Sequence, residues 1–268
     1  MSAPEPPDGH SLDAFHRGRF MLVQPKGRGH RSGVDAMLLA ACVPDGFVGH
    51  VADLGAGAGA AGLAVLSRCE QAQATLFENA EPMLEAARLT LARPENAEIA
   101  ARATLVCADV GLDGRAREAA GLARDAFDAV ILNPPFNDAR DRATPDALKA
   151  GAHVMDEALL ARWLKTACAI LKPGGLVAVI ARPRSLQALL AACAGRFGAL
   201  AIRPVHPHPQ APAIRILLTG AKQSRKQPEI LPGLVLHPAK GVHAFTAEAD
   251  AVNNGRKGLA QVVESLAH

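Results

Sequence analysis

Short apolar runs that alternate with helical segments constrain the fold of this chain more than any other feature. The predicted strands are residues 50–54, 74–77, 103–106, 127–132, 176–180, 201–205 and 214–219. The predicted helices are residues 34–42, 58–69, 83–92, 156–171 and 185–193. Strands buried on both faces read as continuous apolar runs, and intervening helices allow parallel pairing. The alternation therefore predicts an α/β fold whose mostly parallel sheet is covered by helices on both faces.

The composition favours one large domain with additional segments at its ends. The chain has 268 residues, of which 49% are hydrophobic and 21% charged, enough for a single core. Residues 1–12 are rich in proline and are predicted to form a disordered tail. Residues 50–236 are expected to form the main domain, with residues 13–49 as a separate N-terminal segment and residues 237–268 packed on the domain as an extension. The net charge of +3 permits a polyanionic partner without requiring one.

Several functional classes are excluded by what the sequence lacks. The five cysteines are scattered and form no CxxC pair, so neither a disulfide framework nor a zinc site is expected. His206 and His208 alternate on a proline-rich segment, which is poor ligand geometry, and no metal is predicted. The first residues have no apolar signal region, and no apolar stretch reaches membrane-spanning length. We therefore expect a cytoplasmic protein without a membrane partner.

A glycine-rich turn follows the first predicted strand of the main domain. It reads Asp53-Leu54-Gly55-Ala56-Gly57-Ala58-Gly59. Glycines allow a tight turn and a close approach of the backbone to a ligand. Gly57, Gly59 and Gly62 also fit the dinucleotide pattern G-x-G-x-x-G, and Glu78 at the next strand end suits ribose hydroxyls in either case. Asp53 discriminates between a dinucleotide and a cationic ligand, because a carboxylate repels a pyrophosphate but attracts a positive charge.

This turn resembles motif I of the class I S-adenosylmethionine (SAM)-dependent methyltransferases. The resemblance implies a Rossmann-like seven-stranded sheet with an antiparallel last strand, and it makes residues 50–236 the SAM-binding domain. It also implies that Asp53 and the glycines face the methionine end of SAM. Glu78, with Asn79 beside it, would bind the ribose. Asp109, with Val110 beside it, would lie near the adenine; an N-cap role is the alternative for Asp109.

A second motif, Asn133-Pro134-Pro135-Phe136, follows the fourth predicted strand of the main domain. An exocyclic amino nitrogen is a poor nucleophile because its lone pair is delocalised. The side-chain oxygen of Asn133 and the carbonyl of Pro134 can accept its two N–H groups, and the two prolines fix the backbone. Phe136 offers a face on which a planar group can stack. The motif predicts an acceptor site for an amino nitrogen, with Asn133 also next to the cofactor; a plain polar turn is the alternative.

The motif pair resembles the amino-methyltransferases, which act on adenine N6, guanine N2 or protein glutamine. The segment Ser32-Gly33-Val34-Asp35-Ala36-Met37-Leu38-Leu39-Ala40 resembles the stretch before motif I in the tRNA(Val) adenine-N6 methyltransferase family. That resemblance implies that residues 13–49 cap the site and contact the substrate, and that Ser32, Gly33 and Asp35 contact or cover SAM. A helix N-terminal charge is the alternative for Asp35. The nearby basic residues are Arg17, Arg19, Lys26, Arg28 and Arg31. They suit RNA phosphates, or else form a solvated basic face.

The sequence thus predicts a SAM-dependent N-methyltransferase acting on adenine N6 in tRNA. The alternatives are a release-factor glutamine methyltransferase, an rRNA guanine-N2 methyltransferase, a dinucleotide-binding oxidoreductase and an inactive SAM- and RNA-binding module. The oligomeric state and the identity of the RNA are left open.

Overall fold

A computed structural model describes residues 5–26, 32–134 and 146–259 of the chain. In chain order the strands are β1 (His10–Phe15), β2 (Phe20–Pro25), β3 (Gly49–Leu54), β4 (Ala72–Glu78), β5 (Ala103–Cys107), β6 (Phe127–Leu132), β7 (Leu171–Ala181), β8 (Phe197–His206), β9 (Arg215–Lys222), β10 (Glu229–Ile230) and β11 (Leu234–Val235). The helices are α1 (Val34–Ala40), α2 (Ala60–Arg68), α3 (Glu81–Leu91), α4 (Ala97–Ala100), α5 (Gly114–Ala119), α6 (Asp146–Ile170), α7 (Leu186–Cys193) and α8 (Ala247–Asn253). Short 3-10 helices occupy His16–Gly18, Pro94–Asn96 and Pro183–Ser185.

Seven long strands form the central sheet in the order β5-β4-β3-β6-β7-β9-β8. Strands β3 to β7 are parallel to one another, and β9 runs antiparallel between β7 and β8. The predicted α/β fold, with seven strands of which the last is antiparallel, is confirmed. The structure adds β10 and β11, two-residue strands that pair in parallel with the outer edge of β8.

Both faces of the sheet are buried, which explains the continuous apolar runs of its strands. Along β6, Ala129 and Ile131 face one cluster of buried residues and Val130 and Leu132 face the other. Helices α1, α2 and α3 cover the first face, and α6 and α7 cover the second. The sheet is therefore a rigid platform whose loops, at the carboxyl ends of the parallel strands, are free to bind ligands.

An N-terminal β-hairpin, which the sequence did not predict, packs beside α2 and α3. Its two strands pair antiparallel, and β1 begins at His10, inside the segment expected to be a tail. Phe20 and Leu22 of β2 are fully buried. The outer edge of β2 is paired with side chains, since Met21 N donates to Asn96 Oδ1 (2.8 Å) and Val23 N donates to Thr90 Oγ1 (2.9 Å). These bonds pair backbone N–H groups of β2 that would otherwise form an open strand edge, which is prone to aggregation.

Asn96 is the residue on which the docking of this hairpin most depends. Besides accepting from Met21 N, its Nδ2 donates to the carbonyls of Met21 and Thr90, each at 2.7 Å. The side chain is fully buried, so its loss leaves buried backbone groups unpaired. We expect Asn96→Ala to lower the free energy of unfolding by about 2–4 kcal/mol, measured by urea denaturation. Gln71→Ala, which removes an exposed amide, is the control; equal stability of the two variants would contradict this account.

Two further segments differ from the sequence expectation or extend it. Helix α6 begins at Asp146, ten residues before the predicted start. The chain after residue 236 returns to α1, where Leu259 N donates to the carbonyl of Ala41 at 2.7 Å. Helix α8 is capped by Thr246, whose hydroxyl accepts from Ala249 N. None of the helices within the described ranges is long and apolar enough to cross a membrane.

Candidate functional site

The carboxyl ends of four parallel strands bring the predicted site residues to one edge of the sheet. In the register, Leu54 of β3 pairs with both Phe77 of β4 and Leu132 of β6. Strand β4 ends at Glu78, which pairs with Cys107 of β5. The glycine turn, Glu78, Asp109 and Asn133 therefore follow adjacent strand ends. We call this the carboxyl edge.

The glycine turn needs residues without a Cβ for two separate reasons. Gly55, Gly57 and Gly59 have φ values of +69°, +59° and +93°, in the left-handed region that glycine adopts at little cost. A Cβ on Gly55 would lie 2.4 Å from the ring of Trp163 in α6. Gly62 has ordinary helical geometry, but its Cβ would lie 2.4 Å from Leu76 of β4. The last glycine thus serves the packing of α2 on the sheet.

Asp53 lies beneath this turn and is almost completely buried, with 2% exposure. Its Oδ2 accepts a hydrogen bond from Gly62 N at 2.8 Å, in the first turn of α2. Burial raises the pKa of Asp53 to about 7; the bond from Gly62 opposes this shift, and the nearby Glu78 charge adds to it. A cationic group bound here would favour the ionised carboxylate.

Glu78 joins the glycine turn to the start of α3. Its Oε2 accepts from Gly57 N at 2.8 Å, and its Oε1 accepts from Asn79 N (2.8 Å) and Ala80 N (2.9 Å). A carboxylate offers about four acceptor positions, so three backbone bonds fix its orientation while acceptor capacity remains for a diol. The site thus offers two carboxylates and a glycine turn whose backbone a ligand can approach closely. This set suits SAM, which carries a cationic ammonium, a cationic sulfonium and ribose hydroxyls.

Asp109 and Val110 follow β5 and differ in their surroundings. Asp109 is exposed, and its Oδ1 accepts from Gly111 N at 2.7 Å within a local turn. It does not cap a helix, because α5 begins at Gly114 after Asp113, so the N-cap alternative for Asp109 is wrong. Val110 is buried, and its carbonyl accepts from Thr166 Oγ1 of α6 at 2.8 Å. The loop that carries Asp109 is therefore anchored to α6.

Asn133 and Pro134 follow β6 directly beside the glycine turn. Because Leu54 pairs with Leu132, the next residues along the two strands, Gly55 and Asn133, emerge side by side. Asn133 is half-buried and Pro134 is buried. Pro135 and Phe136, the other two residues of the predicted acceptor motif, lie outside the described residues.

The predicted cover over the cofactor is tied to the hairpin and to β9. Ser32 N donates to Gln24 Oε1 of β2 at 2.7 Å, and Gly33 precedes the first residue of α1. Asp35, in the first turn of α1, forms an ion pair with Arg215, with Oδ2 and Nε 2.8 Å apart. Asp35 thus has both a helix N-terminal position and a cationic partner. Sequence reasoning missed Arg215, whose position as the first residue of β9 was its only signal.

The basic residues of the N-terminal segment do not all lie near the carboxyl edge. The hairpin turn packs at the opposite, amino edge, where His16 Nδ1 lies 2.5 Å from Ser67 Oγ near the end of α2. Burial, together with the charges of Arg68 and Arg19, lowers the pKa of His16 to about 4. Arg17 in this turn pairs with Asp250 of α8 at 3.0 Å. Arg28 and Arg31 lie outside the described residues.

A further candidate ligand site lies farther along the sheet. A surface pocket of about 580 Å³ lies at the carboxyl end of β8, lined by His206, Pro209, Gln210, Ala211, Pro212, Gly233 and Val235. His206 Nδ1 lies 2.7 Å from the carbonyl of Ala211, which holds its ring. Within the described ranges, no group of three His, Cys, Asp or Glu side chains is arranged to hold a metal ion.

The strand order, the antiparallel seventh strand and the glycine turn with its two carboxylates define a class I SAM-dependent methyltransferase. The chain belongs to the methyltransferase small domain family, whose model matches residues 31–202. Its methyl donor is SAM.

Solved structures agree with this assignment. An Agrobacterium tumefaciens protein described as a predicted O-methyltransferase is 42% identical with a TM-score of 0.74, and the match covers 85% of this chain and 100% of that one. TrmN from Thermus thermophilus is 22% identical with a TM-score of 0.50, covering 70% of this chain and 48% of that one. The T. thermophilus 16S rRNA N2 G1207 methyltransferase RsmC, in complex with AdoMet and guanosine, is 21% identical with a TM-score of 0.52, covering 83% and 53%. A comparison with curated proteins found no match.

Proposed function

We propose that this protein methylates an exocyclic amino nitrogen of a nucleobase in RNA, with adenine N6 in tRNA as the specific acceptor. The observation that carries the proposal is the pairing of Leu54 with Leu132, because it brings the start of the glycine turn and Asn133 to neighbouring strand ends. An acceptor group held by these two residues would lie next to the methyl donor. Proximity and alignment of the reacting atoms account for most of the rate in such a transfer.

Asn133 and Pro134 are proposed to hold the acceptor nitrogen. The Asn133 side-chain oxygen and the Pro134 carbonyl would each accept one of its N–H groups, which localises the lone pair on nitrogen. Pro134 is buried and its ring fixes φ, and the proline that follows restricts ψ, so the carbonyl of Pro134 would be held in one orientation. Pro135 would stiffen the same backbone, and Phe136 would stack on the base, which must first leave its own stack.

The remaining site residues are proposed to bind SAM, which supplies an electrophilic methyl group on a sulfonium. Asp53 would attract the positive methionine end across the turn of Gly55, Gly57 and Gly59, and Glu78 would accept from the ribose hydroxyls. Asn79, Asp109 and Val110 would flank the adenosine. Ser32, Gly33 and Asp35 would close the site from the side of α1.

The nature of the acceptor atom separates this proposal from its main rival. The relative at 42% identity is described as a predicted O-methyltransferase. A hydroxyl has one hydrogen and would satisfy only one of the two acceptors at Asn133 and Pro134, whereas an amino group satisfies both. An RNA acceptor is supported by the name of RsmC, an rRNA guanine-N2 enzyme that shares the fold. A guanine amino group is therefore the second candidate.

Incubation with labelled SAM tests the acceptor directly. The substrates are a pool of tRNA transcripts made in vitro, ribosomal RNA and a release factor, followed by digestion and mass spectrometry of the nucleosides. We expect label in tRNA as N6-methyladenosine. Label as N2-methylguanosine would support the second candidate. A 2′-O-methyl nucleoside, or label in protein alone, would contradict amino-group methylation of RNA.

Glu78→Gln tests the cofactor site independently of the acceptor. The amide would place an N–H₂ group against Gly57 N or Asn79 N, and it would lose the charged acceptor for the ribose. We expect the affinity for SAM, measured by calorimetry, to fall about 10- to 100-fold. Glu81→Gln is the matched control, because Glu81 is the next acid and is 73% exposed on α3. Equal affinities of the two variants would exclude Glu78 from the cofactor site.

A further inference from the structure

We infer that Arg182, Arg184 and Arg215 form a phosphate-binding row that holds the RNA strand beside the acceptor site. The inference rests on the proposed function, because it deepens it from a nucleobase acceptor to a surface that binds the RNA backbone. None of these residues belongs to the glycine turn or to the acceptor motif.

Strand register brings the three arginines to the carboxyl edge. Arg182 follows β7 directly, and Arg184 lies in the 3-10 helix after it. Arg215 begins the antiparallel β9, whose next residue, Ile216, pairs with Ala181, the last residue of β7. Neighbouring strands are about 4.8 Å apart, so β7 and β9 place the row about 5–10 Å along the edge from β6 and Asn133. An RNA strand that enters the acceptor site from this side would cross the row of arginines.

Charge along the sequence favours a polyanion at this part of the protein. Residues 182–236 contain eight Lys and Arg residues and one acid, Glu229, whereas the whole chain has 29 basic and 26 acidic residues. The rest of the chain is therefore net acidic. Arg196, Lys222, Arg225 and Lys226 lie towards the amino edge, and Arg182, Arg184 and Arg215 lie at the carboxyl edge. Cations gathered beside the acceptor site suit a polyanionic partner, whereas a neutral small acceptor needs no such charge.

Arg215 has the chemistry to bind a phosphate while it is oriented by the protein. Its Nε donates to Asp35 Oδ2 at 2.8 Å and its Nη1 donates to the carbonyl of Ile214 at 2.9 Å. Those bonds use two of the five donors of a guanidinium, and the planar fork matches phosphate oxygens. Asp35 is thus a positioning residue for Arg215. Arg184 is exposed, and Arg182 is half-buried.

Arg17 and Arg19, two of the basic residues that the sequence first suggested for this role, are too distant. Helix α2 starts at the carboxyl edge and ends near Ser67, and its nine residues span about 13 Å. Arg17 and Arg19 lie beyond that end, with Arg17 engaged by Asp250. Arg225 and Lys226, which are exposed, follow the end of β9 at the same amino edge. Substituting Arg17 and Arg19, or Arg225 and Lys226, removes as much positive charge as substituting two arginines of the row, but at the amino edge. Such variants are therefore suitable controls.

Salt-dependent binding of tRNA tests the row. Full-length protein with S-adenosylhomocysteine is titrated with a pool of tRNA transcripts at several salt concentrations. We expect R184A/R215A to weaken binding about 10-fold or more and to reduce the slope of log K against log salt by about 1.5. R225A/K226A should retain the slope and affinity of the unchanged protein. Arg184→Ala alone, at an exposed position, should reduce the slope by about 0.8.

The outcomes separate this inference from the proposed function. Unchanged slopes in R184A/R215A and Arg184→Ala, or an equal loss in R225A/K226A, would overturn the row even if the protein methylates tRNA. Weakened binding in the carboxyl-edge variants alone would support the row even if no methylation is detected. Failure of the unchanged protein to bind tRNA would overturn both.

Discussion

Replacing Asn133 by alanine is expected to lower kcat for methyl transfer about 100- to 1000-fold, with the Kd for SAM changed less than about 3-fold. The variant removes one of the two proposed hydrogen-bond acceptors for the amino group. The nitrogen is then not aligned with the methyl group, and its lone pair is not localised. It leaves the glycine turn and both carboxylates intact. Single-turnover methylation of tRNA transcripts measures the chemical step, and calorimetry measures SAM binding.

Asn133→Asp is the informative companion to Asn133→Ala. It keeps an acceptor oxygen of the same reach, so it should retain more activity than the alanine variant. Undiminished transfer by Asn133→Ala would remove the acceptor role of this motif. Absence of transfer by the unchanged protein on every substrate would instead favour an inactive SAM- and RNA-binding module.

Asp53→Asn is expected to stabilise the ligand-free protein at pH 8 while weakening SAM binding about 10-fold or more. The folded-state pKa of Asp53, about 7, lies above its ordinary value of 3.8, so the folded protein binds the proton more tightly than the unfolded chain. The contribution of Asp53 is therefore most favourable below about pH 4 and is lost as the pH rises through 7. The full loss corresponds to about 4 kcal/mol, which the neutral amide avoids. Urea denaturation at pH 5 and pH 8 measures the difference.

The same titration predicts a pH dependence of cofactor binding. Below about pH 7 the ligand-free protein holds Asp53 protonated, so a cationic ligand must displace that proton and binds more weakly. Asp53→Asn should lose this dependence. Asp125→Asn is the contrasting control, because a hydrogen bond from Lys222 lowers the pKa of Asp125. Removing the negative charge of Asp125 should therefore destabilise the protein at pH 8. A destabilised Asp53→Asn with unchanged SAM affinity would contradict the assignment.

The sheet could be predicted from sequence because strands that are buried on both faces are continuous apolar runs in the sequence. Strands such as β6 are apolar at nearly every position, and the glycine turn and Asn133 follow strand ends directly. Parallel pairing then requires those strand ends to meet at one edge, so the candidate site followed from the fold.

Contacts between distant parts of the chain could not be predicted in this way. The edge of β2 is paired with Asn96 and Thr90, about 70 residues away in sequence, so no local pattern marks the hairpin as docked. Asp35 and Arg215 are 180 residues apart. Arg17 is close to α1 in sequence, but the hairpin turn carries it to the opposite edge of the sheet. Side-chain partners of this kind are set by tertiary packing rather than by periodicity.

The burial of His16 has a consequence for both ends of the chain. The imidazole lies between Ser67 and the backbone of Gly255, where a Cβ on the glycine would approach Nδ1 to 2.5 Å. The hairpin of β1 and β2 and the turn at Gly255 thus pack against each other through the neutral imidazole of His16. Removing the chain from Gly255 onward would therefore expose this ring to water, let it take up a proton near neutral pH, and loosen the N-terminal hairpin.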